Sequence, residues 1–215
     1  RASACQVLMP LRHVAWAGNM NNTFICAYGY GTAITAACNF HAMDHLGIAQ
    51  YLTRFGLAVD EPGVLDAGKN DWLNDPRWQV LRRLVEDTLV MKDPMEMFVA
   101  QNLCLDGMLY PLIYGSYIDE HLTIKGGTAV AMLTSFMPEW HDECARWVDA
   151  VVKAMVAESE ENKQIVSGWV NAWADRVQAA LAPVAEIALG DLGQDSLAGV
   201  RSAFNARVAK LGVTL

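Results

Sequence analysis

Apolar residues in the second half of the chain recur at spacings of three and four, the period of a helix with one buried face. Three such stripes follow one another. They consist of Trp140, Cys144, Trp147, Val148, Val151 and Met155; of Ile165, Trp169, Trp173, Val177, Leu181 and Val184; and of Leu197, Val200, Phe204, Val208 and Leu211. The outer sides of the last two stripes carry polar and charged residues, so these two stripes are predicted to be ordinary amphipathic surface helices.

The first half of the chain is apolar on more than one side of its predicted helices. Thr23–Phe55 carries apolar residues around most of its circumference, which predicts one long central helix or two stacked pieces. Gly29, Gly31 and Gly47 weaken this segment locally and let another helix approach closely. The contrast with the second half predicts that another protein covers the first half.

Two further helices begin with the same signal. Asp75 and Asp93 can each cap a helix, and each is followed by a proline at the first helical position. We predict one amphipathic helix from Asp75 to about Met91, and a second from Asp93 towards Ile118.

Prolines, glycines and a threonine predict the remaining boundaries. Arg1–Asn22 resembles an extended lead-in, and Leu57–Asp71 is predicted to be a loop. Pro111 should kink its helix, because proline lacks a backbone donor and crowds the previous turn. Thr128 is a candidate cap for the next helix, which Pro138 is expected to interrupt.

The predicted fold class is all-α, because no alternating strand pattern of useful length occurs in the sequence. Repeats and low-complexity tracts are also absent from it. We predict a single domain over residues 1–215, built as a bundle of about seven or eight helices.

Composition narrows the classes of partner. The net charge is −8, with 24 acidic against 16 basic residues, so nucleic acid and anionic membranes are disfavoured. Five scattered cysteines without C-x-x-C spacing favour buried thiols in a reducing cytoplasm over a disulfide framework or a structural zinc site. The sequence shows no signal peptide, which also predicts a cytoplasmic location.

An all-α bundle with buried polar residues raises the question of a diiron centre. Such a centre in a helical bundle uses two E-x-x-H motifs and two further carboxylates, because residues three apart share a helix face. The sequence contains no E-x-x-H, and its nearest approaches, Glu139 with His141 and Glu120 with His121, have the wrong spacing. We therefore predict no catalytic residue and no metal ligand in this chain.

His41, Asp44 and His45 lie close together on one predicted helix. The two imidazoles, four residues apart, could serve one metal ion, which is one hypothesis for this segment. The favoured alternative is a buried polar cluster that includes Asp106 and ties two central helices together, since a buried charge needs a partner.

Several ordered runs of residues resemble the β subunits of propane-type monooxygenase hydroxylases. The runs are Met9–His13, Gly18–Asn22, Tyr28–Thr35, Met43–Gly47, Trp72–Trp78, Val99–Asn102, Gly107–Leu112 and Glu139–Glu143. The broader family includes alkene, toluene, phenol and methane monooxygenases. The resemblance extends from about Met9 to the last helix, and no single motif within it is chemical.

The resemblance implies a ferritin-like helical fold that lacks the iron ligands. It implies a partner α subunit with a carboxylate-bridged diiron centre that activates O2, and a dimer of αβ units. It further implies a reductase that passes electrons from NADH through FAD and an iron–sulfur cluster, and a small regulatory protein. Subunits of this kind are longer at the amino end, so we expect an N-terminal region to be missing from this sequence.

Our leading hypothesis is therefore a noncatalytic β subunit that supports an iron-bearing α subunit oxidising propane, related alkanes or phenols. The alternatives are a helical scaffold outside oxygen chemistry and a free-standing metalloprotein that uses His41, Asp44 and His45. Aromatic side chains in Thr23–Phe55 and Asp93–Ile118 are candidate interface anchors, with core packing as the competing explanation. These candidates are Tyr28, Tyr30, Phe40, Tyr51, Tyr110 and Tyr114.

Overall fold

The computed structural model describes residues 2–59 and 63–215, and these residues form helices and turns without a strand. The predicted all-α class is confirmed. The chain divides into two compact units, Arg1–Phe98 (unit 1) and Val99–Leu215 (unit 2). The expectation that residues 1–215 form a single domain stays a prediction.

Unit 1 begins with two long helices, α1 (Ala2–Tyr28) and α2 (Thr32–Val59), which pack along each other as a hairpin. The predicted extended lead-in at residues 1–22 is wrong, because α1 covers nearly all of it. Pro10 lies inside α1, at a typical cost of about 3 kcal/mol. Burial of Leu8, Met9, Val14 and their neighbours outweighs that cost at about 1.5–3 kcal/mol each.

The connection between α1 and α2 supports the two-piece version of the predicted central helix. Gly31 adopts a φ of +97°, which lies in the left-handed region that glycine tolerates, and the backbone leaves the helical conformation there. α2 then runs without interruption past Gly47.

Most of the loop predicted at Leu57–Asp71 is helical, so that prediction is wrong. α2 continues to Val59 and α3 spans Gly63–Asn74, whereas residues 60–62 lie outside the described part. Gly68 misled the prediction because it permits close contact and does not break the helix. A Cβ atom at Gly68 would collide with Met9 of α1.

The two aspartate–proline start signals are confirmed. The Asp75 carboxylate accepts a hydrogen bond from the Arg77 amide at 2.9 Å, ahead of a short 3-10 helix (Pro76–Trp78) and α4 (Gln79–Thr88). The Asp93 carboxylate accepts from the Met95 amide at 2.8 Å at the start of α5 (Pro94–Phe98). α4 ends three residues before the predicted Met91.

Unit 2 begins with alternating α and π geometry. The successive segments are π1 (Val99–Leu105), α6 (Asp106–Tyr110) and π2 (Pro111–Leu122). The kink predicted at Pro111 is replaced by a change from α to π winding that begins at this proline. A π turn bonds residues five apart, so the missing donor of Pro111 falls where the bonding pattern already changes.

The rest of unit 2 matches the three apolar stripes. The remaining helices are α7 (Thr128–Thr134), α8 (Phe136–Glu158), α9 (Glu160–Leu189), a 3-10 turn (Gly190–Leu192) and α10 (Gly193–Ala209). α9 packs against α8, α10, π1 and π2 and forms the centre of the unit. The Thr128 cap is wrong, since Gly127 precedes α7 and no side chain caps it. Pro138 lies in the first turn of α8, where proline is tolerated, and does not interrupt a helix.

None of the described helices combines the length and the apolar character that crossing a lipid bilayer would require.

Candidate functional site

The hairpin of α1 and α2 exposes large aromatic side chains near its turn. Tyr28 is 72% exposed, Tyr30 97% and Phe40 71%, although each carries a ring that other proteins usually bury at least in part. All three were candidate anchors from the sequence. Among the described residues of unit 1, none covers the greater part of these rings.

The exposed residues continue away from the turn as two helical stripes. On α2, Phe40, Met43, Gly47 and Gln50 are exposed at spacings of three, four and three. The α1 stripe consists of Trp16, Met20, Thr23 and Ala27, of which Met20 is half-buried. Trp16 and Gln50 line one cleft, so the two stripes lie on the same side of the hairpin. We call these eight residues, together with the exposed Tyr28 and Tyr30 near the turn, the hairpin face.

The other candidate anchors are covered within the chain. Tyr51 is half-buried, whereas Tyr110 and Tyr114 are buried in unit 2. The Tyr110 ring stacks on Tyr114 at 5.3 Å and on His141 at 5.6 Å between ring centroids, and contacts Trp140 at 5.0 Å. Burial also raises the pKa of the Tyr114 hydroxyl above its usual range. Both rings pack in the core of unit 2, and an interface role for the six aromatic residues stays a prediction.

His41 and His45 are buried side by side on α2. Their rings meet edge to face with centroids 4.7 Å apart. Gly18 of α1 leaves the space that the His45 ring fills, because a Cβ atom there would lie 2.6 Å from His45 Nδ1. Asp44, between the two histidines, is exposed. The metalloprotein hypothesis for His41, Asp44 and His45 stays a prediction.

Three asparagines on α1, of which Asn21 and Asn22 are buried, add polar contacts that the sequence analysis missed. The Asn21 amide donates to Thr88 Oγ1 at 2.8 Å, and the Asn22 amide donates to the Gly18 carbonyl at 3.0 Å. Asn19 donates to the Ala42 carbonyl of α2 at 2.8 Å. Three amides in a weakly charged run were the available signal, since buried polar groups are almost always hydrogen-bonded.

Asp106 is buried in unit 2 at the start of α6. The Gln101 amide of π1 donates to Asp106 Oδ1 at 2.9 Å. Burial lowers the pKa of His141, and the nearby Asp106 carboxylate opposes part of that change. Arg207 of α10 forms an ion pair with Asp149 at 2.7 Å. The predicted association of Asp106 with His41 and His45 stays a prediction.

The donor set of a carboxylate-bridged diiron centre does not fit the described residues. Such a centre needs four carboxylates and two imidazoles directed into a bundle. Within residues 4–58 and 63–215, Asp106 is the one buried acidic side chain. The other buried carboxylates that such a centre requires are absent from these residues.

Comparison with known proteins identifies relatives across the whole sequence. The sequence model described as "Methane/Phenol/Alkene Hydroxylase" matches residues 1–159. The phenol 2-monooxygenase oxygenase component DmpL of Pseudomonas sp. (strain CF600) is 45% identical over 215 residues, which are 99% of this chain and 64% of that protein. The β subunit of the toluene-4-monooxygenase hydroxylase of Ectopseudomonas mendocina is 26% identical over 181 residues, which are 80% of this chain and 54% of that protein.

Two solved structures of similar proteins superpose on this chain. Phenol hydroxylase from Pseudomonas sp. OX1 superposes with a TM-score of 0.94 at 38% identity, covering 100% of this chain and 65% of the other. Toluene 4-monooxygenase superposes with a TM-score of 0.76 at 20% identity, covering 91% and 63%. The second match shows the fold alone. The predicted ferritin-like all-α fold is thereby confirmed.

The chain spans 64% of DmpL, 54% of the toluene-4-monooxygenase β subunit and 65% of the phenol hydroxylase chain, which is less than two thirds of each. Their names refer to phenol and toluene, so the assignment to the propane type stays a prediction. The expected kinship with hydroxylase subunits is confirmed by the family match and by the identity of the relatives. This chain belongs to the methane/phenol/alkene hydroxylase family.

Proposed function

We propose that this chain is the noncatalytic β subunit of a multicomponent monooxygenase hydroxylase. In this proposal a separate α subunit holds the diiron centre, activates O2 and binds the substrate. The present chain supplies a helical surface on which that subunit is held. We further propose a phenol or another small hydrocarbon as substrate, because the relatives are named for phenol and toluene.

The observation that carries the proposal is the shortage of buried carboxylates in a chain of this family. Asp106 is the one buried acid among the described side chains, and the sequence holds no E-x-x-H motif. Carboxylates that remain in water would have to leave solvent to bind iron at the centre of a bundle. A chain that keeps the fold without the donors suits a supporting role.

The hairpin face is the proposed contact for the α subunit. It places Phe40, Met43 and Trp16 in solvent along the two longest helices of unit 1. Exposed aromatic residues and methionine are enriched where proteins meet, because they bury much area for little lost conformational freedom. The proposal narrows the candidate anchors to Tyr28, Tyr30 and Phe40.

Metal analysis and affinity purification from the native cell test this function together. We expect the isolated chain to carry less than about one iron per ten molecules, and the tagged chain to bring down a larger iron-containing subunit in about equal amount. About two irons per isolated chain would overturn the proposal. Recovery of the tagged chain with no iron-containing protein would favour the scaffold alternative.

Substitution on the hairpin face tests where the α subunit docks. Tyr30→Ser combined with Phe40→Ser should weaken assembly by about 30-fold or more, the effect of losing a hot spot of about 2 kcal/mol. Ile165→Ser on α9 is the matched control, because Ile165 is also an exposed apolar residue on a helix. Equal loss of assembly with both changes would contradict a specific role of the hairpin face.

A reductase that draws electrons from NADH, through FAD and an iron–sulfur cluster, and a small regulatory protein complete the proposed cytoplasmic system. The expected arrangement is a dimer of αβ units. Oxygen consumption that requires NADH, the α subunit and this chain together would support it. Full activity of the α subunit with the reductase and regulatory protein, but without this chain, would contradict a supporting role.

A further inference from the structure

A cleft at the far end of the hairpin face combines a guanidinium, an imidazole and an indole. Arg12, His13 and Trp16 of α1 line it together with Ala49, Gln50 and Thr53 of α2. Its volume is about 290 Å³, at the lower limit of small-molecule sites and suited to one side chain. Trp16 is 53% exposed and forms an apolar wall at the entrance.

The Arg12 guanidinium is fixed by groups that carry no charge. Its Nε donates to the Met9 carbonyl at 3.0 Å, its Nη1 to Thr53 Oγ1 at 3.4 Å and its Nη2 to the Leu65 carbonyl at 3.3 Å. Asp66 acts on this cation electrostatically, but burial outweighs it and lowers the pKa of Arg12. Among the described side chains, this partly desolvated guanidinium has three neutral oxygens as acceptors and no carboxylate in direct contact.

His13 adds a polar atom that has no hydrogen-bond partner among the described residues. Its Nε2 is buried without an acceptor or donor there, while the ring stacks on Trp72 with centroids 5.5 Å apart. The charged groups that lower the pKa of His13, besides burial, are the cations Arg12 and Lys69. An unsatisfied buried polar atom typically costs about 1–3 kcal/mol, so a ligand that offered it an oxygen would recover part of that cost.

The charge of the cleft lining is opposite in sign to the net charge of the chain. Arg12 is the one charged side chain among the described residues that line the cleft, although Asp66 also acts on it, whereas the protein has a net charge of −8. A cationic cleft with a flat aromatic wall is complementary to a carboxylate on a short carbon stem. Trp16 and Gln50 also belong to the hairpin face, so a partner that covers this face can also reach the cleft.

We infer that this cleft binds the carboxylate of an acidic side chain from the subunit that covers the hairpin face. The inference rests on the proposed function for the source of the carboxylate. Recognition of a carboxylate by the cleft does not depend on the proposed function, because it can be measured on the isolated chain. The Arg12 guanidinium supplies the charge, Trp16 packs against the stem, and Gln50 lies at the rim.

The first arm of the test uses the isolated chain and two small probes. N-acetylglutamate amide and N-acetylglutamine amide differ only in whether the side chain carries a carboxylate. The indole N–H signal of Trp16, assigned with Trp16→Phe, should shift saturably with the glutamate probe at millimolar concentrations. The glutamine probe should bind at least about fivefold more weakly. Equal responses to both probes, or none, would overturn carboxylate recognition.

A charge placed at the rim provides the matched pair of variants. Gln50→Glu introduces a carboxylate that repels the ligand and can itself occupy the guanidinium, so the glutamate probe should bind about tenfold more weakly. Gln164→Glu makes the same change at an exposed helical position of α9 and should leave probe binding unchanged. Neither position is buried, so both variants should fold. Equal probe affinity of the two variants would overturn the assignment of the carboxylate to this cleft.

The second arm measures affinity for the copurified partner subunit. Gln50→Glu should weaken that complex by about tenfold in low salt and by less in high salt, whereas Gln164→Glu should not. Probe binding without an effect of Gln50→Glu on the complex would overturn the partner as the source and leave a site for small carboxylates. Failure of the wild-type chain to retain any partner would count against the proposed function, and the probe arm would then decide the cleft alone.

Discussion

The α1–α2 hairpin and helix α9 use their apolar residues in opposite ways. On α9, Trp173, Val177 and Leu181 face the core of unit 2, whereas Ile165 near its start is exposed. The hairpin buries apolar residues on one side and exposes aromatic rings on the other. A helix whose apolar residues pack mainly within its own chain serves stability, whereas the exposed apolar surplus on the hairpin is the surface that we propose for contact with another protein.

The largest expected effect lies on the α9 side of this comparison. Leu181→Ala should lower the free energy of unfolding by about 2–5 kcal/mol, because Leu181 is fully buried and its truncation leaves a cavity. Urea denaturation followed by circular dichroism measures this change. A loss below about 1 kcal/mol would mean that α9 does not carry the core of unit 2.

The next effect tests the tight packing inside the hairpin. Gly18→Ala should destabilise the chain by about 1–3 kcal/mol, because the new methyl group would overlap the ring of buried His45. Gly47→Ala on α2 is the control, since among the described residues nothing beyond the local helix backbone lies within 4 Å of its added Cβ. That control should stabilise by about 0.5–1 kcal/mol through helix propensity. Thermal melts of both variants that shifted in the same direction would contradict the close approach of Gly18 to His45.

Acid should weaken unit 1 through His13. Burial, together with Arg12 and Lys69, lowers the pKa of His13 from 6.5 to about 4. Above pH 6.5 the imidazole is neutral in both the folded and unfolded states and contributes nothing. As the pH falls from 6.5 towards 4, the unfolded chain binds a proton that the folded chain does not, so stability declines. After allowance for partial solvent access the decline amounts to about 1–2 kcal/mol.

Comparison of His13→Gln with wild type isolates that contribution. The variant should lose about 1–2 kcal/mol less stability than wild type between pH 7.5 and pH 4.5. Denaturant titrations at both pH values measure it, and the carboxylates that also titrate there are common to both proteins. Identical losses in the two proteins would contradict a neutral, half-buried His13.

The smallest effect is expected on the hairpin face itself. Phe40→Ser should change the stability of the isolated chain by less than about 0.5 kcal/mol, because Phe40 is largely exposed and the two residues have similar helix propensities. Solubility should rise as an apolar ring leaves the surface. A loss of more than about 1.5 kcal/mol would show that Phe40 packs within the chain and would erase the contrast with α9.

Local signals in the sequence predicted the structure well, and tertiary contacts explain the failures. Asp75 and Asp93 cap their helices as expected, because an aspartate followed by proline acts on the nearest amides alone. Pro10 and Gly68 favour breaks by local preference, yet both lie in helices whose burial against neighbouring helices overrides that preference. From the sequence alone, Gly68, which leaves room for Met9, cannot be distinguished from a glycine that ends a helix.

The sequence predicted which residues belong to the candidate site, but not whether their side chains face solvent or the core. The sequence supplied Tyr28, Tyr30 and Phe40 together with Tyr110 and Tyr114, and it could not separate the exposed rings from the buried ones. The phase of a helix apolar on all sides gives no preferred face, so exposure depends on which neighbours the chain provides. The cleft at Arg12 and His13 was missed because its two walls are far apart in sequence.

The π winding of Val99–Leu105 and Pro111–Leu122 bears on how this chain would respond to the deletion of a residue. A π turn contains about one residue more than an α turn, so each π segment holds extra residues within an otherwise regular helix. Losing a residue there can be absorbed by tightening the coil, with little displacement of the downstream helices. The same loss in α9 would rotate every later side chain by about 100° and turn its core-facing edge towards water.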